Sequence, residues 1–337
     1  MLKEVYAPSL KRNVKFGMRM GRARGPSIKL RNYLRASLVV PATADYTQGT
    51  PSLLSALTNV DENDVLGDCV IAWLFHQLAI WTGQATGTAF QPTIDQINAL
   101  YGAIGGYIVG QPNTDNGCDP NTAANWIVQN GYPNGDKPIG WVSIDGTNPT
   151  ELQQAIYLLE GNGFAVGLPD AYVQNMPSAN GFVWDVAGAA DQNNGHMFLG
   201  AGYDSKGVKI DTWGLFGTFT YAAIAQYAVA SSGGEIIIML SPDMIANGMQ
   251  KAPNGVDWVG LVQDFDELFG GMVPVPAPAP SPSPSPSPSP SPSVLVALAQ
   301  AQAWAAAGIG AGRRSLMTRA EAISAANSGL AKNWPSS

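Results

Sequence analysis

Three residue types placed far apart in this chain could together do nucleophilic chemistry. Cys69 heads an apolar run, His196 follows Gly195 at the start of a strand-like stretch, and Asp211 closes the next one within Asp211-Thr212-Trp213-Gly214. A thiol, an imidazole and a carboxylate in that chain order are the parts of a cysteine-nucleophile site. The imidazole would take the thiol proton, and the carboxylate would fix the imidazole's tautomer. The chain has only 2 Cys and 2 His, so few other pairings exist.

The elements that must position these groups are legible around each of them. Residues 69–81 are apolar on nearly every side, which reads as a helix buried all round. Asp68 is suited to cap that helix, and Gly67 lets the chain turn into it. Cys69 then lies in the first turn, where unpaired N–H groups favour a thiolate, while Asp64 and Asp68 oppose it. His76 sits seven residues on, roughly 10 Å along the axis, too far to take the thiol proton, and reads as a core histidine with a satisfied hydrogen bond. Residues 197–203 read as a strand with small residues at 200–202, residues 204–207 as a turn, and 208–212 as a second strand. Such a hairpin brings His196 close to Asp211.

On these residues the chain resembles the papain-like cysteine peptidases. In that family the thiol heads a long central helix, the His opens a barrel strand, and an Asn-Ser-Trp-Gly stretch holds the His. Papain-type partners lie ≈130–150 residues after the Cys; here they follow by 127 and 142 (196 − 69 and 211 − 69). The resemblance implies Cys69 as nucleophile, His196 as base, Asp211 as orienter and Trp213 as the shielding tryptophan, with Gly195 supporting the base. It also implies that Asn63, six residues before Cys69, donates to the oxyanion. The family's Cys-Gly-Ser/Ala-Cys-Trp/Tyr signature is reduced here to Leu66-Gly67-Asp68-Cys69-Val70, and Asp211 replaces an Asn. The likeness spans about residues 45–245 and is nearer to bacterial and phage papain-like proteins with an Asn-Asp-x-x-Gly-Asp-Cys stretch. The fold it implies is α+β: a helical lobe with the Cys-bearing helix, plus an antiparallel, barrel-like β lobe.

The remaining text suits those two lobes. Thr93 can cap a helix to about 103, Asn121 or Thr122 one to 130, and Thr150 with Gln153 forms a capping box for one to about 159. Residues 139–144, 164–168, 216–220 and 235–240 read as strands, 221–230 as a helix and 105–119 as a long loop. Cys118, in that loop, reads as a free thiol, since two cysteines do not make a disulfide framework. No Cys/His spacing suits zinc, Gly308-Ile309-Gly310-Ala311-Gly312 lacks the context of a phosphate loop, and Asp264-Phe265-Asp266-Glu267 lacks calcium-loop spacing. No metal or cofactor is expected.

Charge divides the chain. Residues 1–37 hold ten Lys/Arg against Glu4, while the whole chain carries a formal net charge of −7. The acidic body disfavours nucleic acid and favours cationic peptides, leaving the arm as the one segment suited to anionic partners. The arm lacks the apolar core of a signal peptide, and no run is long enough to span a membrane, so a cytoplasmic or virion location is expected. We divide the chain into a basic arm (1–44), a papain-like domain (45–272), a Ser-Pro spacer (273–293, about 65 Å if extended) and an Ala-rich tail (294–337). The arm is a candidate to fold back near the cleft as a pro-segment does, and Trp304 and Trp334 of the tail are candidate anchors for a protein partner. The function expected is a thiol-dependent hydrolase of peptide or amide bonds. An acyltransferase or cell-wall peptide amidase would use the same parts, and a non-enzymatic virion protein could retain the fold.

Overall fold

The structure, a computed structural model, describes residues 2–19 and 28–269. The Ser-Pro spacer and the tail therefore lie outside the described residues. In the arm, β1 (Glu4–Ala7) and β2 (Arg12–Lys15) pair as an antiparallel hairpin. Next come β3 (Ile28–Lys29), β4 (Ala44–Asp45), α1 (Pro51–Thr58), α2 (Cys69–Thr86), α3 (Ile94–Gly105) and α4 (Pro120–Asn130). The chain continues through β5 (Gly140–Ile144), α5 (Pro149–Leu159), β6 (Asn162–Gly167), α6 (Asp170–Gln174), β7 (Phe182–Trp184) and β8 (Gly195–Tyr203). The last described elements are β9 (Gly207–Thr212), β10 (Leu215–Thr220), α7 (Tyr221–Tyr227), β11 (Glu235–Leu240), α8 (Pro242–Lys251) and α9 (Trp258–Phe269).

The helices begin where side chains satisfy their first N–H groups. Thr93 and Gln96 close a reciprocal capping box on α3, and Asp119 accepts from Thr122 N at the head of α4. α5 starts earlier than its expected Thr150–Gln153 box, because Pro149 occupies the first turn and Asn148 supplies the cap. Asp68 stands at the N-cap position of α2 but makes no capping bond. Its Oδ1 instead accepts from Asn63 Nδ2 at 3.2 Å, and burial pushes its carboxyl well up from the usual range.

The architecture is α+β, as expected. One sheet runs in the order β3-β5-β11-β6-β8-β9-β10-β7, with β4 added on β8. Its pairs are antiparallel except β3–β5 and β10–β7. Among the described residues the sheet has two unpaired edges, β3 and β7, and does not close into a barrel. Helix α2 packs on β8, and its apolar residues are buried all round, as the unbroken run required. The approach is close because Gly163 has no side chain: a Cβ there would lie 2.4 Å from Trp73 and 2.5 Å from Met197 Cε.

The basic segment is built into this body. β3 extends the main sheet and β4 pairs with β8. Val14, Phe16 and Met18 of the arm are buried, so its hairpin contributes to the core.

Candidate active site

Cys69 opens α2 as expected, in a fully enclosed position. The thiol is buried, and burial pushes its pKa up to about 12, against weaker opposing hydrogen bonds from the backbone of Met197 and Gly17. Met197 follows His196 directly, so the helix start and the strand start do meet. The imidazole, however, is not hydrogen-bonded to the thiol. His196 Nε2 lies 2.8 Å from Thr212 Oγ1, and Nδ1 has no hydrogen-bond partner among the described residues. Trp213 stacks on the ring at 4.0 Å and 7° between planes. Burial alone pushes His196 down to about 3, so the ring is neutral at ordinary pH.

Asp211 is brought to the same hairpin but faces the other way. Its Oδ2 lies 3.0 Å from Nδ1 of His76, the second histidine, on α2. The cause is a change of register. From the turn, Tyr203 pairs with Val208 and Gly202 with Lys209, but after a bulge Gly200 pairs with Ile210 and Leu199 with Asp211. Side chains alternate across a strand, so this one-residue slip turns Asp211 to the face of Leu199 and Thr212 to that of His196. Gly200-Ala201-Gly202 was the available signal, since glycines inside a strand often mark a bulge. His76 is a core histidine with a satisfied bond, Nε2 lying 2.8 Å from Asn59 O, and it also has Asp61 Oδ2 at 3.5 Å.

Asn63 lies buried near the head of α2, with its Nδ2 spent on Leu66 O and Asp68 Oδ1. Gly195 is in close contact with the arm: a Cβ there would sit 2.2 Å from Met18 O. Both cysteines are free thiols. Cys118 is buried, its pKa raised by that burial, and its sulfur packs near Gly105, where an added Cβ would come within 2.8 Å.

The basic arm packs against both the head of α2 and the start of β8. Gly17 lies so close to Gly67 that a Cβ would fall 1.7 Å from its carbonyl oxygen. Cys118 N donates to Gly17 O at 2.9 Å, Arg19 N to Cys118 O at 2.8 Å and Met18 N to Gly195 O at 3.0 Å. Phe16 stands edge-on to both His196 and Trp213, each at 6.1 Å. Opposite charges hold the segment down: Lys15 pairs with Asp115, Arg12 with Asp64, and Lys3 with Asp170 and Asp191. Asp115 is the hub, because it also accepts from Gly67 N and Tyr101 Oη.

The fold is similar to those of solved cysteine proteases. Xylellain, a cysteine protease from Xylella fastidiosa, aligns at 13% identity and TM-score 0.48, covering 71% of this chain and 98% of its own. Digestive procathepsin L2 from Tenebrio molitor aligns at 14% and 0.45, covering 67% and 78%. The Carica candamarcensis protease CMS1MS2 aligns at 14% and 0.42, covering 60% and 99%. No protein-family model and no curated protein matches the sequence. Among the described residues, no group of three or more His, Cys, Asp or Glu could hold a metal, and no helix is long and apolar enough to cross a membrane.

Proposed function

We propose that this chain is a thiol-dependent hydrolase of peptide bonds whose own arm covers the nucleophile. The observation that carries this reading is the segment 17–19: Gly17 abuts Gly67, two residues before Cys69, Met18 N bonds to Gly195 O beside His196, and Gly17 O and Arg19 N bond to the backbone of Cys118. An extended segment clasped this way, next to a cysteine in the first turn of a helix, occupies the space a peptide substrate would need. With the arm gone, water and substrate reach the sulfur, and both the thiol and the imidazole return toward their ordinary pKa values.

In the open state Cys69 Sγ attacks the carbonyl carbon of a peptide. His196 takes the thiol proton on Nδ1 and gives it to the amine as the C–N bond breaks; water, deprotonated by His196, then attacks the Cys69 thioester, the C–S bond breaks, and the acid is released with the proton returned to sulfur. Thr212 serves as the orienter: with Nε2–H donating to its Oγ1, Nδ1 keeps the lone pair a base requires. Departure of Phe16 frees the imidazole to turn toward the sulfur. The N–H of Cys69, in the first turn of α2, holds the oxyanion, and Asn63 joins it by exchanging its present acceptors. Amide hydrolysis or acyl transfer would use the same groups with a different acceptor.

A second reading is favoured by the neutral, buried state of Cys69 and His196: a binding protein in which the arm is a permanent part of the core. Gly17→Val in the full chain separates the two, because its side chain cannot coexist with Gly67 O. The hydrolase reading expects alkylation of Cys69 to quicken at least ~100-fold as the thiol pKa falls toward ~8.5. It further expects peptide turnover that is lost on His196→Ala. Cys69 remaining as slow as Cys118, or a rate indifferent to His196→Ala, would support the binding protein.

A further inference from the structure

Buried beneath the site is a cluster that the proposed chemistry does not use: His76, Asp211 and Asp61. All three are nearly inaccessible, as is Leu57 of neighbouring α1. The His76 ring is held at both nitrogens, by Asp211 on Nδ1 and by Asn59 O and Asp61 on Nε2. The loop that brings Asp61 in is bent into the left-handed region at Asp61 (φ 50°) and Glu62 (φ 66°), an arrangement that costs free energy and needs surrounding contacts to hold it.

The position of this cluster gives it a consequence for the site. His76 belongs to α2, the helix that Cys69 begins. Asp211 belongs to β9 and is followed at once by Thr212 and Trp213, the hydrogen-bond partner and the stacking partner of His196. Trp213 itself has φ 49°, so the backbone right after Asp211 is also constrained. One ion pair therefore joins the helix bearing the thiol to the strand end bearing both partners of the imidazole.

We infer that His76 and Asp211 are a positioning pair, which pins β9 to the thiol-bearing helix and so holds Thr212 and Trp213 against His196. This rests on the hydrolase reading for its functional meaning, though not for its structural content. Two buried carboxylates about one imidazole support it electrostatically: burial opposes charge on His76, but Asp211 and then Asp61 outweigh it and push the pKa up to about 9. The ring is thus an imidazolium at neutral pH, and removing its charge leaves two buried acids to repel each other.

The test uses the full chain carrying Asp211→Asn, with imidazole nitrogens read by NMR, which is simple because the protein has 2 His. His76→Gln assigns the spectrum and serves as the second variant if Asp211→Asn does not fold. The expected result is a displaced and broadened His196 signal in a protein whose circular dichroism is unchanged. In the Gly17→Val background, Asp211→Asn should also slow Cys69 alkylation about tenfold, the scale of a modest misplacement. An unchanged His196 signal and unchanged alkylation in a folded variant would overturn the positioning role. If Cys69 never becomes reactive in Gly17→Val while the His196 signal still moves with Asp211→Asn, the hydrolase reading fails and the positioning pair stands.

Discussion

Met18 N donates to the carbonyl of Gly195 at 3.0 Å, tying the arm to the residue that immediately precedes His196. On the other flank the carbonyl of Gly17 and the amide of Arg19 bond to the backbone of Cys118, so Met18 is clasped from two sides. Backbone hydrogen bonds recognise no side chain, so the clasp alone would hold almost any extended segment. What selects this one is glycine at position 17 together with charge.

Charge should therefore control access. Lys15→Ala removes one partner of Asp115, whose side chain is 1% exposed. We expect a loss of about 2 kcal/mol in unfolding free energy, measured in urea, from leaving that carboxylate short of a partner. Cys69 alkylation should rise in the same variant and rise further with salt, because the Arg12 and Lys3 pairs are more exposed and are screened. A variant as stable and as unreactive as the parent would show that the arm is held by apolar packing alone.

Thr212 should matter through its hydroxyl. Thr212→Val keeps the shape but leaves His196 Nε2 without its partner at 2.8 Å, and the neutral tautomer is no longer chosen. In the Gly17→Val background the alkylation rate of Cys69 should fall ~10- to 100-fold, and Thr212→Ser should restore most of it. Equal rates in the Val and Ser variants would remove Thr212 from the site.

The two histidines should shape the stability profile from opposite sides. His196 is pushed down to about 3, so the stability tied to its neutral form is intact above ~6.5 and lost as pH falls toward 3. His76 is pushed up to about 9, so its contribution is intact below ~6.5 and lost as pH rises through 9. Asp61, raised to about 6 chiefly by burial, adds a loss as pH rises from ~4 to 6. Denaturant titrations across pH should thus show His76→Gln flattening the alkaline limb and shifting the Asp61 step upward, because the His76 charge lowers that carboxyl, while His196→Gln flattens the acid limb. Parallel profiles for all three proteins would refute both assignments.

Close packing behind the site sets a further expectation. Gly163→Ala would drive a methyl group into Trp73 of the thiol helix and Met197 beside His196. Overpacking of this kind costs about 1–3 kcal/mol, which a thermal melt would register as a lower Tm. A melting temperature at or above the parent's would mean that α2 and β8 can separate freely.

Much of the architecture was legible because its signals are local. The strand–turn–strand from 197 to 212 follows from apolar runs broken by Asp204 and Gly207, and it appears as β8 and β9. The helix at Cys69 follows from an unbroken apolar stretch, although its Gly87 stop lies beyond the expected end. Asp211 shows where such reading ends. Its place at the end of β9 follows from the hairpin, but its face depends on whether the strand pair carries one extra residue at Ala201.

By itself the sequence determined which elements form, and that Cys69 opens a helix while His196 and Asp211 lie at the paired ends of one hairpin. Periodicity, caps and turn residues act over a few positions, and every one of those forces is written in adjacent letters. Only the tertiary structure decided that Thr212 holds His196, that Asp211 serves His76, and that the basic arm lies across Cys69. Each of those outcomes depends on strand register or on charges brought together by folding, and in both cases the partners are set by geometry between segments distant in the chain.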